Sequence, residues 1–422
     1  MENEKYLARI VDDKIKKMLK IVGAISIVGP KWCGKSWTAK YHGNSLIELD
    51  RKENIERAKV SLDYILNLDK PEVIDEWNVV PEVWDEVRHR CDEDNEKGKY
   101  ILTCSTKLDD EEEKKIFHSG AGRIMELKMY TMSLYESKES TGDISLTDMY
   151  NNADIKKQVK KTSIKELCYY IVRGGWPGNI GVEADSANLL PKSYIESILN
   201  KDVKSKINFN KNKMLLLLKS LARNESTVVG VKTLISDIED YENNDELRLS
   251  KITVNGYLDV LESLHLIENQ EAFSVNLRSK NRIGKSCKRH FTDVSIAASL
   301  LNLSVEKLAE DVETLGFLYE ALVERDLRIY IEALNGKLFY FKNNTTNLEV
   351  DAILEFDDGE YAACEIKLGA GQINDGIVNL QKFYESVKKK PRFMCIIVGT
   401  IDMIYRDKET GIYVLPPTAL KV

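Results

Sequence analysis

Along the first 150 residues, short apolar runs alternate with amphipathic stretches, the pattern of successive βα units. AISIVG (24–29), SLIELD (45–50), EVIDEW (72–77) and YILTCS (100–105) read as strands. Their near-continuous apolar and β-branched content suits a parallel sheet covered on both faces. Helices are expected around 5–20, 35–42, 52–67, 80–95 and 109–118, the last opened by DDEEE, whose carboxylates favour the positive end of a helix. From about 155 to 220 helical spacing takes over, with RGGWPG (173–178) as its one strong break. MLLLLKSLA, TVVGVKTLISDI and SKITVNGYLDVLESLHLIE then read as three helices followed by the apolar segment EAFSVNL, the order of a winged helix. An amphipathic helix around 311–332 precedes three strands, LFYFKN, EVDAILEF and YAACEIKL, a helix near 376–388 and a further strand, FMCIIVG.

With 422 residues, 43% hydrophobic and 31% charged, the chain is too long for one core and too evenly mixed to be disordered or fibrous. Sixty-one Lys and Arg against 68 Asp and Glu leave a net charge of -7, so any nucleic-acid contact must be regional. Seven scattered cysteines, never spaced CxxC, and five isolated histidines argue against a disulfide framework and a structural zinc site. MENEKYLARIVDDKIKKMLK has no uninterrupted apolar core, and no later stretch reaches the roughly 18 apolar residues of a membrane span. A cytoplasmic protein is expected.

The strongest chemical signal is GPKWCGKS, which fits GxxxxGK[ST] after an apolar strand and before a helix. In such a loop Gly29, Pro30, Lys31, Trp32, Cys33 and Gly34 would turn backbone N–H groups toward phosphate oxygens, at the positive end of the following helix. Lys35 would reach the β- and γ-phosphates of ATP, Ser36 would ligate Mg²⁺, and Trp37 would flank the nucleotide. Asp75 and Glu76 end an apolar run 40 residues on, where Asp75 can hold the Mg²⁺ shell and Glu76 can activate the attacking water. Thr103 or Ser105 is expected to face the γ-phosphate, unless both merely cap the strand end. Arg123, after a Gly pair, is either a surface residue or a cation that stabilises phosphate in cis or in a neighbouring subunit.

Two further segments carry chemistry. RSKNRIGKSCKRH, from Arg278 to His290, holds six Lys or Arg and no carboxylate, a candidate DNA or RNA contact or else a solvated loop. EVDAILEFDDGEYAACEIKLG places Asp351 in one strand, and Glu365 and Lys367 on one face of the next, across a DDGE turn. Two carboxylates sharing a divalent ion beside a lysine is an arrangement that metal-dependent phosphodiester cleavage uses; exposed charges paired across the ladder are the alternative.

Taken together, GPKWCGKSWTA, VIDEW, YILTCS, GAGR, RGGWP, SKITVNGYLDVLESLHLIE, HFTDVSIAASLL, GFLYEALV and EVDAIL…EIK resemble the prokaryotic AAA-type ATPases whose C-terminal half is a domain of unknown function with a nuclease-like fold. Cys104 stands where that family tends to carry Gly, and Asn78 where Gln is common. The C-terminal residues resemble the PD-(D/E)xK nucleases, with Asp351, Glu365 and Lys367 matching their core and Glu320 their helix carboxylate. The resemblance implies a P-loop NTPase (AAA-like) domain over 1–150, a helical connector over 151–208, a winged-helix-like domain over 209–290 and a restriction-endonuclease-like α/β domain over 291–422, in which Glu320, Asp351 and Glu365 would hold metal. The expected function is a Mg²⁺-dependent ATPase whose nucleotide state governs a C-terminal half acting on nucleic acid, with homo-oligomerisation open. The alternative is a nucleotide-switched regulatory or scaffold protein whose inactive nuclease-like domain serves protein contacts.

Overall fold

The computed structural model describes residues 6–94, 96–106, 108, 113–203, 207, 209–241, 249–274, 286–343 and 345–422. The chain divides into two compact units, one of Met1–Thr131, Trp176–Gly178 and Leu261–Leu266, the other of Met132–Gly175, Asn179–Val260 and Ile267–Val422.

The first unit is a five-stranded parallel sheet in the order β2-β3-β4-β1-β5. Its strands are β1 (Ala24–Val28), β2 (Ser45–Glu48), β3 (Glu72–Asp75), β4 (Tyr100–Cys104) and β5 (Ile124–Lys128). Alternate side chains supply two cores: Ala24, Ile74 and Leu102 enter one, Ile25, Val73 and Ile101 the other. That period of two explains why these strands read as unbroken apolar runs. β5 escapes the sequence pattern because Met125 and Glu126 at its centre are exposed. The helix expected over 52–67 is broken into Lys52–Val60 and Asp63–Leu66, with Ser61 extended between them. Of the helix expected at 109–118, residues 109–112 lie outside the described residues.

The second unit is built on a seven-stranded mixed sheet, ordered β10-β11-β12-β13-β15-β14-β7. β10 (Lys337–Asn343), β11 (Leu348–Glu355) and β12 (Tyr361–Lys367) form an antiparallel meander. The helix Ile373–Ser386 then crosses over, so that β13 (Phe393–Val398) lies parallel to β12. β15 (Tyr413–Leu415), β14 (Met403–Arg406) and β7 (Lys156–Gln158) complete the sheet. β7 was not expected, since its three residues are all polar and exposed, and it gives part of the expected helical connector to this sheet. A short pair, β6 (Ile144–Ser145) with β16 (Leu420–Lys421), ties residues 144–145 to the end of the chain.

Helices Lys211–Arg223, Val231–Tyr241 and Lys251–Ser263 are followed by an antiparallel pair, β8 (Ile267–Gln270) with β9 (Lys288–Phe291). The long helix Val312–Ala333 carries a buried ionic knot. Arg325, 6% exposed, pairs with Asp326 at 2.8 Å and Asp293 at 3.2 Å. Asp293 also caps the helix Val294–Leu300 and accepts from the N–H of Gly175, while Asp326 accepts from the N–H of Leu134. The RGGWP and HFTDVSIAASLL segments thus meet at one guanidinium.

Removing that guanidinium would leave two buried carboxylates without their cation. Arg325→Met is expected to destabilise the second unit by roughly 3–5 kcal/mol, read from urea unfolding. A loss below about 1 kcal/mol would show that the knot is dispensable.

Candidate functional sites

Beyond β1 the chain turns through Gly29–Gly34 into the helix Lys35–His42. Gly29 has φ 151°, and a Cβ there would stand 2.1 Å from the carbonyl oxygen of Met129. Gly34 adopts the left-handed conformation at the N-cap of the helix, with φ 102°. Lys35 is buried at 4% exposure, its Nζ donating to the carbonyls of Gly29 at 2.9 Å and Pro30 at 2.8 Å. Pro30 and Cys33 are buried, Lys31 is half-buried, and Trp32 and Trp37 are about half exposed.

Parallel pairing of β3 with β4 puts Asp75 beside Thr103, one step beyond the Ile74–Leu102 pair. Ser36 Oγ donates to Asp75 Oδ1 at 2.8 Å, and the Thr103 hydroxyl donates to the same oxygen. Ser105 Oγ donates to Glu76 Oε1 at 2.6 Å. Glu76 is held at φ 52°, a left-handed conformation that costs a side-chain-bearing residue on the order of 1 kcal/mol. The loop, both acids, the Thr103 hydroxyl of β4 and the Ser105 hydroxyl just beyond it therefore converge at the C-terminal edge of the sheet. Sequence reasoning missed Arg9, whose buried guanidinium donates to the carbonyls of Cys33 and Tyr130, both at 2.8 Å. A single arginine in a polar N-terminal stretch carries no signal of that role.

Arg123 is corrected as a cis cation. It precedes β5, and its carbonyl accepts from the N–H of Ala24 at the N-terminal end of β1, about 16 Å along the strand from the loop. Its guanidinium pairs with Asp92 at 2.6 Å.

In the second unit Asp351 and Glu365 face one another, one step beyond the Ala352–Cys364 pair of β11 and β12. A bulge in the β10–β11 ladder sets Asp351 and Ala352 together against one residue of β10. Lys367 Nζ reaches Glu365 Oε2 at 2.5 Å and Asp351 Oδ2 at 3.5 Å, so both carboxylates meet one ammonium. Asp351 also accepts from the N–H of Ile366, and Glu365 from Asn379 Nδ2, each at 2.8 Å.

Glu320 is joined to this cluster through a residue the sequence placed elsewhere. Of the basic stretch, Arg278, Lys280, Arg282 and Lys285 lie outside the described residues. Lys288 is no solvent-facing contact: it is 2% exposed, with Nζ 2.7 Å from Glu320 Oε1 and 3.5 Å from Glu324 Oε1. Arg289 donates to the Val229 carbonyl. His290 lies buried between Glu225 at 2.9 Å and Gln270 at 2.7 Å, with Glu324 at 3.2 Å. A run of cations in sequence cannot show that alternate residues of a strand point inward.

Burial dominates the electrostatics. It raises Glu365 to about 7, with Asp351 adding repulsion and Lys367 opposing. It likewise raises Glu324 to about 7, with Lys288 opposing and Asp351 adding, and lifts Glu320 well above the ordinary carboxylate range. Lys288 and Lys367 remain firmly protonated, because surrounding carboxylates outweigh the burial that would deprotonate them. Burial, then Arg328 and Lys288, hold His290 well below its ordinary value, so the imidazole is neutral. Among the described residues, Glu225, Glu320, Glu324, Asp351 and Glu365 thus share Lys288, Lys367 and Arg328, and carboxylates outnumber cations by two.

Residues 22–138 match a family model described as an AAA domain. Residues 164–307 and 315–420 match two families described as domains of unknown function, DUF8612 and DUF4143. No curated protein matches the chain. Among solved structures, a Walker-type ATPase of Pyrococcus abyssi is 13% identical with TM-score 0.45, over 71% of this chain and 97% of that one. The Orc1 protein of Aeropyrum pernix, solved with DNA, is 10% identical with TM-score 0.29, over 70% and 93%. A DNA polymerase III gamma subunit-related protein of Thermotoga maritima is 12% identical with TM-score 0.23, over 61% and 100%. Residues 22–138 are thus similar to AAA domains, and their parallel sheet with a Gly-rich loop before a helix is consistent with a P-loop fold. No helix among the described residues is long and apolar enough to cross a membrane.

The raised carboxyls fix the sign of a pH effect. Between the ordinary glutamate value of 4.5 and about 7, the folded protein retains a proton at Glu324 that the unfolded chain releases, so stability falls as pH rises through that window. Glu324→Gln is expected to flatten this decline by on the order of 1–3 kcal/mol, comparing urea unfolding at pH 5 and pH 8. An unchanged slope would mean that Glu324 is ionised throughout.

Proposed function

We propose that the protein binds and hydrolyses ATP with Mg²⁺ at the Gly29–Ser36 loop, and couples that cycle to a C-terminal half that cleaves nucleic acid at Asp351, Glu365 and Lys367. The convergence of the Ser36 and Thr103 hydroxyls on one oxygen of Asp75, beside the loop, carries the first part. Ser36 and Asp75 are oxygen donors suited to Mg²⁺, which would neutralise phosphate charge there. Lys35 would exchange the Gly29 and Pro30 carbonyls for β- and γ-phosphate oxygens. Glu76, steadied by Ser105, would orient the attacking water, and Trp32 and Trp37 would flank the nucleotide. Any phosphate-stabilising role of Arg123 is assigned to a neighbouring subunit of a homo-oligomer.

For the C-terminal half, three helices followed by a two-stranded antiparallel pair support a winged-helix reading. Lys251 and Asn255 are exposed there and can meet phosphate or base edges of DNA or RNA. Asp351, Glu365 and Glu320 form an all-oxygen donor set that suits a divalent ion. As folded, these donors are turned to lysines, and no group of three or more His, Cys, Asp or Glu among the described residues is arranged to hold metal. That observation favours a second reading, a nucleotide-switched regulatory protein whose nuclease-like domain is silent.

Lys35→Ala should lower ATP affinity at least 100-fold with the fold intact, by titration calorimetry; equal affinity would remove the loop from nucleotide binding. Glu76→Gln should keep ATP bound and slow hydrolysis about 100-fold or more, with an unaltered rate moving that role elsewhere. Cleavage of single- and double-stranded DNA or RNA with Mg²⁺ or Mn²⁺, abolished by Asp351→Asn, separates the two readings. No cleavage under any of these conditions favours the regulatory one.

A further inference from the structure

The segment from Tyr6 to Asp12 precedes β1 and is tied along the helix Lys35–His42. Asp12 fastens it to the helix end: Oδ1 lies 2.9 Å from His42 Nε2 and accepts from the Tyr6 hydroxyl at 2.7 Å, and Oδ2 accepts from the backbone N–H of Arg9 at 2.8 Å. The Tyr6 ring stacks on that of Tyr41 with centroids 4.1 Å apart, and its hydroxyl lies 3.1 Å from Thr38 Oγ1. Arg9, 7% exposed, is thus held from the last turn of the helix while its guanidinium reaches the loop before the first. Nη1 donates to the carbonyl of Cys33 and Nη2 to that of Tyr130, each at 2.8 Å, one arm on the loop and one just beyond β5. The same Nη1 would stand 3.5 Å from a Cβ on Gly34.

We infer that Arg9 is a positioning residue for phosphate: by holding the Cys33 carbonyl it sets the plane of the 33–34 peptide and aims the N–H of Gly34 into the loop. This rests on reading Gly29–Ser36 as the nucleotide site. The 33–34 bond is trans, and in a planar trans peptide the C=O and N–H point in opposite directions. A carbonyl drawn to the guanidinium therefore turns the N–H of Gly34 away from it. The plane needs such a hold, because Gly34, at φ 102°, has no side chain to bar rotation between positive and negative φ. Two carbonyls side by side suit the fixed fork of a guanidinium, which the single ammonium of a lysine does not reproduce. Lys35 would touch phosphate itself; Arg9 acts through the backbone that cradles it.

The test titrates ADP with Mg²⁺ into the full chain by calorimetry, in wild type, Arg9→Ala, Arg9→Lys and Lys35→Ala, with folding checked by circular dichroism. Arg9→Ala is expected to weaken binding roughly tenfold or more, as the loss of a hydrogen bond from a charged group does. Added ethylguanidinium should restore most of that affinity. Arg9→Lys keeps the charge without the fork and should weaken binding about threefold or more, raising KM for ATP while kcat stays within about twofold, the signature of lost uniform binding. Arg9→Lys alone decides the matter where Arg9→Ala does not fold. Wild-type affinity in Arg9→Lys, or a fall in kcat with KM unchanged, would overturn the positioning role. So would a folded Arg9→Ala that ethylguanidinium does not restore, which would make Arg9 a packing residue. Wild-type affinity in Lys35→Ala would remove the loop from nucleotide binding and the positioning role with it, whereas a weakened Lys35→Ala beside unaltered Arg9 variants would overturn the positioning role alone.

Discussion

Parallel pairing of β4 with both β1 and β3 carries the first site, because it delivers the C-terminal ends of three strands to one edge of a sheet. Successive residues of a strand point to opposite faces, so a one-residue slip between β3 and β4 would part Thr103 from Asp75 and turn Ser105 away from Glu76. The two buried faces forbid that slip, since it would drive Tyr100 and Leu102 out of one core and Ile101 out of the other. The same register explains why Arg123, close to the loop in the order of the sheet, is far from it in space. It precedes its strand, whereas the loop follows its own.

Buried charge plays the corresponding part in the second unit. Lys288, Arg325 and Glu365 are each under a tenth exposed, and an ion buried without a partner costs several kcal/mol, more than a typical single hydrogen bond returns. Every such group therefore restricts where its partners can lie. Arg325 joins residues 134, 175 and 293 to the long helix by that restriction. The two knots differ in balance. At Arg325 the two carboxylates are fixed by backbone N–H donors as well as by the guanidinium, whereas around Lys288 the carboxylates exceed the cations and are pushed toward holding protons.

Local chemistry determined what the sequence could disclose alone. The loop is legible because phosphate binding by such a loop requires two glycines, a lysine and a hydroxyl at fixed spacing between a strand and a helix. The strands β1 to β4 are legible because burial on both faces demands apolar residues throughout. Asp351, Glu365 and Lys367 are legible because a tight turn and a period of two fix which residues share a face. Tertiary structure decided the rest. β5 and β7 carry polar, exposed centres, so nothing in their composition separates them from loops, and pairing with a neighbour alone makes them strands. Arg9, Glu324 and Glu225 acquire their roles from partners 24 to 121 residues away, a separation no local pattern encodes. Lys288 is the plainest case: in sequence it belongs to a run of cations, and the register of β9 turns it inward, where burial makes its charge a structural requirement.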